Sequence, residues 1–359
     1  MRSGVALPLL ERWLTGEAPE NQLPTTTQLR ALAKTVNRSV AALLAPAPPP
    51  PSARLASFRT PVGRSPDREL LPAEQVALRS TARWQRIVGQ LRTELGAERT
   101  TVPSVSQATT AADAEDAARV IARWLSWDPA AQRAASSSAA ALKLARQAFE
   151  NRGVLTLQFS LGYDACKGFS VPDVIIPAVA VNGSYNSAAR LYSLFHEAAH
   201  LVRGDRVVCE AARDDTIESW CESVAAQILI PRDDLLGYLD KFPRNRIETV
   251  QQCSTVANHY NVSLRATAVR LKEVGRADAT LWTQVSQTSE KNVPIPNPNA
   301  PRQTTPVIRR RELGGLIPST LIAAQREGAL SEFQVRRYLD VNGAQLRELA
   351  EHSGTGVPE

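Results

Sequence analysis

Residues 191–202, LYSLFHEAAHLV, have helical periodicity but no polar face. Leu191, Leu194 and Phe195 precede the central residues, and Ala198, Ala199, Leu201 and Val202 follow them. A helix that is apolar nearly all round has to be wrapped by other elements. The chain has the means: 359 residues, 43% of them hydrophobic, are enough for two or three domains with a substantial core. Into this apolar helix are set His196, Glu197 and His200. Buried ionisable groups need partners, so the fold must bring those partners to this helix.

Positions i and i+4 of a helix stand one above the other. His196 and His200, two of only four histidines in the chain, can therefore aim two ring nitrogens at one ion. Glu197 sits about 100° round the helix, within reach of a metal-bound water. This is the physical basis of His-Glu-x-x-His as a zinc-hydrolase signature. The bland alternative is a buried helix whose histidines are satisfied by hydrogen bonds. A metzincin would continue with Gly and His at the positions held by Arg203 and Arg206, which excludes that class. With no spare histidine close by, a carboxylate is the expected third ligand.

The stretch DDTIESWCESVAAQILIP, 214–231, supplies carboxylates. Trp220, Val224 and Ile228 form a core stripe at i, i+4 and i+8. Glu218 and Glu222 share another face. An antiparallel helix could aim Glu218 at the ion, and Glu222, one turn on, could accept a hydrogen bond from a ligating imidazole. Glu210, Asp214 and Asp215 fall in the loop or at the helix cap and are weaker ligand candidates.

RLYSLFHEAAHLV followed by IESWCESVAAQILIP resembles the ImmA/IrrE family of metallopeptidases. The resemblance implies His196, His200 and Glu218 as metal ligands and Glu197 as the catalytic glutamate. Glu222 stands where the family more often has Asn or Asp. CKGFSVPDVIIPAVAVNG resembles the strand pair that precedes the helix in these proteins, and GGLIPSTLIAAQREGALSEFQVRRYLDV resembles the tail of their long forms. LERWLTGEAPENQLPTTTQLRALAKTVNRSVAALLAPAPPPP resembles the second half of a Xre-type helix-turn-helix domain. The first helices of such a domain are not expected here, which makes DNA a weakly supported partner.

The expected class is α+β: mainly helical, with a small β-sheet packed on a zincin-like helix pair and helical flanks. Residues 1–45 are a partial Xre-like helical segment, in which Thr27 could cap the second helix, and 46–60 a Pro-rich linker. Residues 61–150 are helical, with segments at 71–96, 113–127 and 138–151. The metallopeptidase core spans 151–240. Its first strand runs through Val154, Leu155, Leu157 and Phe159, and a second through 174–181, broken by Pro177. Residues 241–283 form a helical subdomain with a helix-turn-helix cadence at 247–276, where the plain alternative is a helical unit with a solvated basic face. Residues 284–306 read as a flexible linker and 307–359 as a C-terminal helical segment.

A net charge of +6 permits an acidic or nucleic-acid partner without arguing for one. No window of about 20 apolar residues exists, and the run 5–10 is too short for a signal segment. Cys166, Cys209, Cys221 and Cys253 lack metal-ribbon or disulfide spacing, consistent with reduced thiols in a cytoplasmic protein. The expected cofactor is Zn2+, with Mn2+ as the alternative. The expected activity is peptide-bond hydrolysis, with Tyr185, Arg190 and His259 as candidate donors to the oxyanion. By resemblance the substrate is a specific protein, a Xre-type repressor, cleaved to derepress phage, mobile-element or stress genes. The competing function is a DNA-binding regulator or antitoxin-like protein with a non-proteolytic metal-binding core.

Overall fold

The computed structural model describes residues 4–36, 40–45, 57–59, 70–107, 109–204, 215–289 and 303–353. The chain divides into two compact units, Met1–Arg54 and Leu55–Glu359. Most of the linker expected at 46–60, and residues 290–302 of the one expected at 284–306, lie outside the described residues.

In the first unit, α1 (Leu7–Thr15) ends at Gly16, whose φ of 74° suits a residue without Cβ. Trp13 Nε1 donates to the Gln22 carbonyl at 2.6 Å. Helix α2 (Thr26–Thr35) is capped by Thr25, not Thr27, because Gln28 stands three residues on and closes a capping box. A short α3 (Val40–Leu43) follows. Among the described residues this unit buries only Val5 and Ala33.

The second unit begins with β1 (Ser57–Arg59), then α4 (Pro72–Glu94), α5 (Ala111–Leu125), α6 (Pro129–Ala134) and α7 (Ser138–Asn151). Three strands follow, β2 (Leu155–Phe159), β3 (Gly168–Val171) and β4 (Ala178–Asn182). Next come α8 (Ser187–Arg203), α9 (Asp215–Leu229), α10 (Arg232–Leu239), α11 (Val250–His259), α12 (Leu264–Glu273) and α13 (Ala279–Ser289). Helices α14 (Thr305–Leu313), α15 (Leu316–Arg326), α16 (Glu332–Leu339) and α17 (Gly343–Ser353) complete it. The mainly helical α+β class expected from the sequence is the one observed.

The sheet order is β1-β3-β4-β2. β2 and β4 are parallel, and the other pairs antiparallel. Side chains alternate across it. Val179 and Val181 join the core built on α5, α7, α8 and α9, whereas Ala178 and Ala180 join Leu155, Leu157 and Phe169 in a second core with α4 and α15–α17. The sheet is thus a middle layer, and α8 lies on its β3–β4 face.

Several local expectations need correction. The second expected strand begins only at Ala178, after Pro177, because proline donates nothing to a ladder. The strand pair that the resemblance implies within 166–183 corresponds to β3 and β4. Pro231 ends α9, but it also serves as the N-cap of α10, a place where its missing N–H costs nothing. Helix α13 runs on to Ser289, past the expected linker start at Gln284. Among the described residues no helix is long and apolar enough to cross a membrane.

Candidate metal centre

Helix α8 is fixed at both ends. The Asn186 side chain caps its start by accepting from Ala189 N at 2.9 Å, and Gly204 ends it in the left-handed region at φ 71°. Every residue from Leu191 to Arg203 is buried. His196 and Glu197 are 0% exposed and His200 2%.

Helix α9 packs against α8 through the expected stripe, with Trp220, Val224 and Ile228 all buried. The Tyr192 hydroxyl donates to the Glu222 carbonyl at 2.7 Å, while His196, one turn later, meets Glu218, one turn earlier. The contacts run in opposite directions along the two helices, so the pair is antiparallel. Arg203 stacks over the Trp220 ring at 5.5 Å.

Three donors converge. His196 Nε2 and His200 Nε2 are 3.3 Å apart. Glu218 places Oε2 3.3 Å from His196 Nε2 and Oε1 3.6 Å from His200 Nε2. These residues form a group whose ligand atoms all lie within 4.8 Å of one another. Nitrogens held about 2.0–2.1 Å from a tetrahedral zinc are about 3.3 Å apart, so the observed spacing suits one ion. Two imidazoles and a carboxylate are also the donor set of a catalytic zinc, which keeps a fourth position open. The Glu218 side chain, 18% exposed, is the part of the group nearest to water.

Glu197 points at the sheet. A Cβ built on Gly168 of β3 would lie 3.2 Å from Glu197 Oε1 and 3.4 Å from its Cγ. A side chain at this position would press the glutamate by a few tenths of an ångström, so glycine eases its fit against the strand. No local pattern marks that role, since Gly168 matters through a contact 29 residues away in the chain.

Glu222 is exposed. Cys221, fully buried, places its Sγ 3.7 Å from His200 Nδ1. The signal was available: position i+3 from Glu218 lies on nearly the same face as i+4. Glu210 and Asp214 lie outside the described residues, as does the side chain of Asp215.

The candidate oxyanion donors have partners of their own. The Tyr185 hydroxyl donates to the Tyr163 carbonyl at 3.2 Å. Arg190 donates to Gln158 Oε1 at 2.6 Å and to Ser187 Oγ at 3.0 Å. His259 stacks on Tyr238 with 3.8 Å between ring centroids, where burial and then Lys241 lower its pKa.

The helix-turn-helix cadence at 247–276 corresponds to α11 and α12, with Asn261 at φ 55° in the turn. Helix α12 packs against α9 and α13. Arg270 is only 4% exposed. Its Nε donates to the Ile230 carbonyl at 3.0 Å and its Nη1 pairs with Glu273 at 3.0 Å. Arg265 lies over the Trp282 ring at 5.0 Å. Arg270 therefore belongs to the core, not to a solvated basic face.

Comparison with protein families places this geometry. Residues 149–272 match the IrrE N-terminal-like domain of the Peptidase M78 family. That is a metallopeptidase family, and the matched segment carries the His-x-x-x-His plus Glu group. Comparisons with curated proteins and with solved structures gave no match.

Proposed function

We propose that the domain at 149–272 is a zinc endopeptidase that cleaves one specific protein, a Xre-type transcriptional repressor, and so derepresses phage, mobile-element or stress genes. The observation that carries the reading is the convergence of His196, His200 and Glu218 within 4.8 Å, with Glu197 next to His196 on the same buried helix. The substrate class is supported by the resemblance of the N-terminal segment to part of a Xre-type domain. A peptidase and its target that share a module have a ready means of recognition. Zn2+ is preferred over Mn2+ because two imidazoles and one carboxylate suit it.

A divalent ion bound here would lower the pKa of a coordinated water towards ~7 and polarise the scissile carbonyl. The protein does the rest. Glu197, desolvated in the apolar helix layer, accepts the proton of the attacking water and returns it to the leaving amine. Gly168 leaves the space in which its carboxylate sits. Cys221 holds the His200 ring from the side opposite Glu218.

The test is metal content of the purified chain beside His196→Ala and Glu218→Ala, with cleavage of co-expressed Xre-type repressors by wild type and Glu197→Gln. About one ion per chain is expected, lost in both ligand variants and kept in Glu197→Gln, which should not cleave. No bound metal in wild type after reconstitution would sink the proposal.

A further inference from the structure

Strand β3 has two edges. One pairs with β4; the other carries Ser57–Arg59, antiparallel, with Arg59 opposite Gly168, Phe58 opposite Phe169 and Ser57 opposite Ser170. Gly168 is the residue against which Glu197 packs, and α8 also touches β1. A piece of the chain's own backbone therefore lies extended one strand spacing, about 4.8 Å, from the strand that meets the proposed catalytic glutamate.

We propose that Ser57–Arg59 is a displaceable strap, which occupies in cis the edge of β3 along which a peptidase of this kind aligns the extended backbone of its substrate. This rests on the peptidase reading above. An endopeptidase needs its target segment extended, with the scissile carbonyl free of internal hydrogen bonds. A sheet edge supplies that conformation by pairing main chain with main chain, whatever the side chains. The strap already demonstrates the geometry. Position alternation then sends every second residue of the docked segment towards α8.

The strap is suited to yield. Its ladder covers three residues, and so short a pairing is marginal by itself. Pro61, two residues on, has no N–H with which to extend it. Twelve residues separate Arg59 from α4, which starts at Pro72. A linker that short gives an effective concentration in the mM range. Weakly pairing peptides are excluded, while a substrate that pairs over a longer stretch or docks elsewhere as well displaces the strap.

The experiment uses the full-length Glu197→Gln chain, with Ser57→Pro or Arg59→Pro added at the two strap positions opposite Ser170 and Gly168, and reads amide hydrogen exchange by mass spectrometry. Proline removes a donor from the strap and disfavours its pairing. The expected result is at least tenfold faster exchange in residues 168–171, with 155–159 and 178–182 unchanged. A synthetic peptide of residues 52–64 should restore protection in the proline variants. Unchanged exchange at 168–171 in both variants, or a peptide that fails to restore protection, would overturn the proposal. So would faster exchange across β2 and β4 as well, because Ser57–Arg59 would then be a structural strand. None of these readouts needs turnover, so they stand apart from failure of the peptidase reading. With Glu197 restored, the proline variants should cleave a repressor substrate several-fold faster than wild type; an equal rate would overturn the docking role of the edge.

Discussion

Cys221 Sγ lies 3.7 Å from His200 Nδ1, the ring nitrogen opposite the one that faces Glu218. If Nε2 binds an ion, Nδ1 carries the proton and donates it to sulfur. A partner at this position fixes the tautomer and the ring plane. Cys221→Ala should weaken metal affinity by about tenfold, within the 10–100-fold usual for such partners. Cys221→Ser, which keeps an acceptor, should recover part of the loss. Glu222→Ala should change affinity little, since the backbone carbonyl that Tyr192 uses remains. Chelator competition measures all three, and a larger loss in Glu222→Ala than in Cys221→Ala would reverse the assignment.

Gly168 tests the placement of Glu197. A methyl group there would meet the Ala180 carbonyl at 3.0 Å and Glu197 Oε1 at 3.2 Å. The strand is held by its register with β4, so the glutamate is the part that gives. Gly168→Ala should keep its metal, lose about 1–3 kcal/mol of stability from overpacking, and cleave at least tenfold more slowly. Metal content, denaturant unfolding and the repressor cleavage assay separate these effects. Full activity in a folded Gly168→Ala chain would show that Glu197 does not depend on this contact.

The parts of the site that are local in sequence were legible, and the parts that depend on tertiary contact were not. The i, i+4 spacing of His196 and His200, and the face that carries Glu218, follow from helix geometry alone. Helix α7 was equally readable, because its Ala-rich pattern is capped by Ser137 and followed by Gly153 at φ 76°. Strand β3 was legible only through the resemblance of 166–183 to a strand pair, because four residues beginning with glycine carry almost no strand signal of their own; pairing on both edges creates it. Helix α10 was missed because proline marks both an end and a beginning. Nothing local marks Arg270 as buried, because the Ile230 carbonyl that it reaches lies 40 residues away in the chain.

Gln132 joins three segments in the core beside the site. Fully buried, it donates to the Leu229 carbonyl at 2.9 Å and the Tyr260 carbonyl at 2.6 Å. It accepts from Trp127 Nε1 at 3.2 Å. Leu229 ends the helix that carries Glu218. Gln132→Ala would strand two buried carbonyls and an indole N–H, at a cost of about 3 kcal/mol. Gln132→Glu should be no better, because an ionised carboxylate cannot donate to carbonyls. Urea midpoints decide this, and a loss under about 1 kcal/mol would mean that the helices relax around the gap.

Glu150 sets a pH dependence away from the metal group. Its carboxylate accepts from Thr156 Oγ1 and from Gly315 N at 3.0 Å, while Arg146 donates to the Thr156 carbonyl at 2.8 Å and the Arg311 carbonyl at 2.7 Å. Burial pushes the Glu150 pKa above the usual carboxylate value, against the opposing pull of Arg146, Thr156 and Gly315. A carboxyl with a raised folded pKa holds its proton more tightly folded than unfolded. The stability it contributes is fully present below the unfolded value near ~4.3 and is lost as pH rises through the folded value. Glu150→Gln cannot titrate, so wild type should lose stability relative to this variant as pH rises from about 4 towards neutrality. Urea unfolding at a series of pH values gives the difference directly. A difference that grows in favour of wild type with rising pH would mean that attraction to Arg146 outweighs burial at this position.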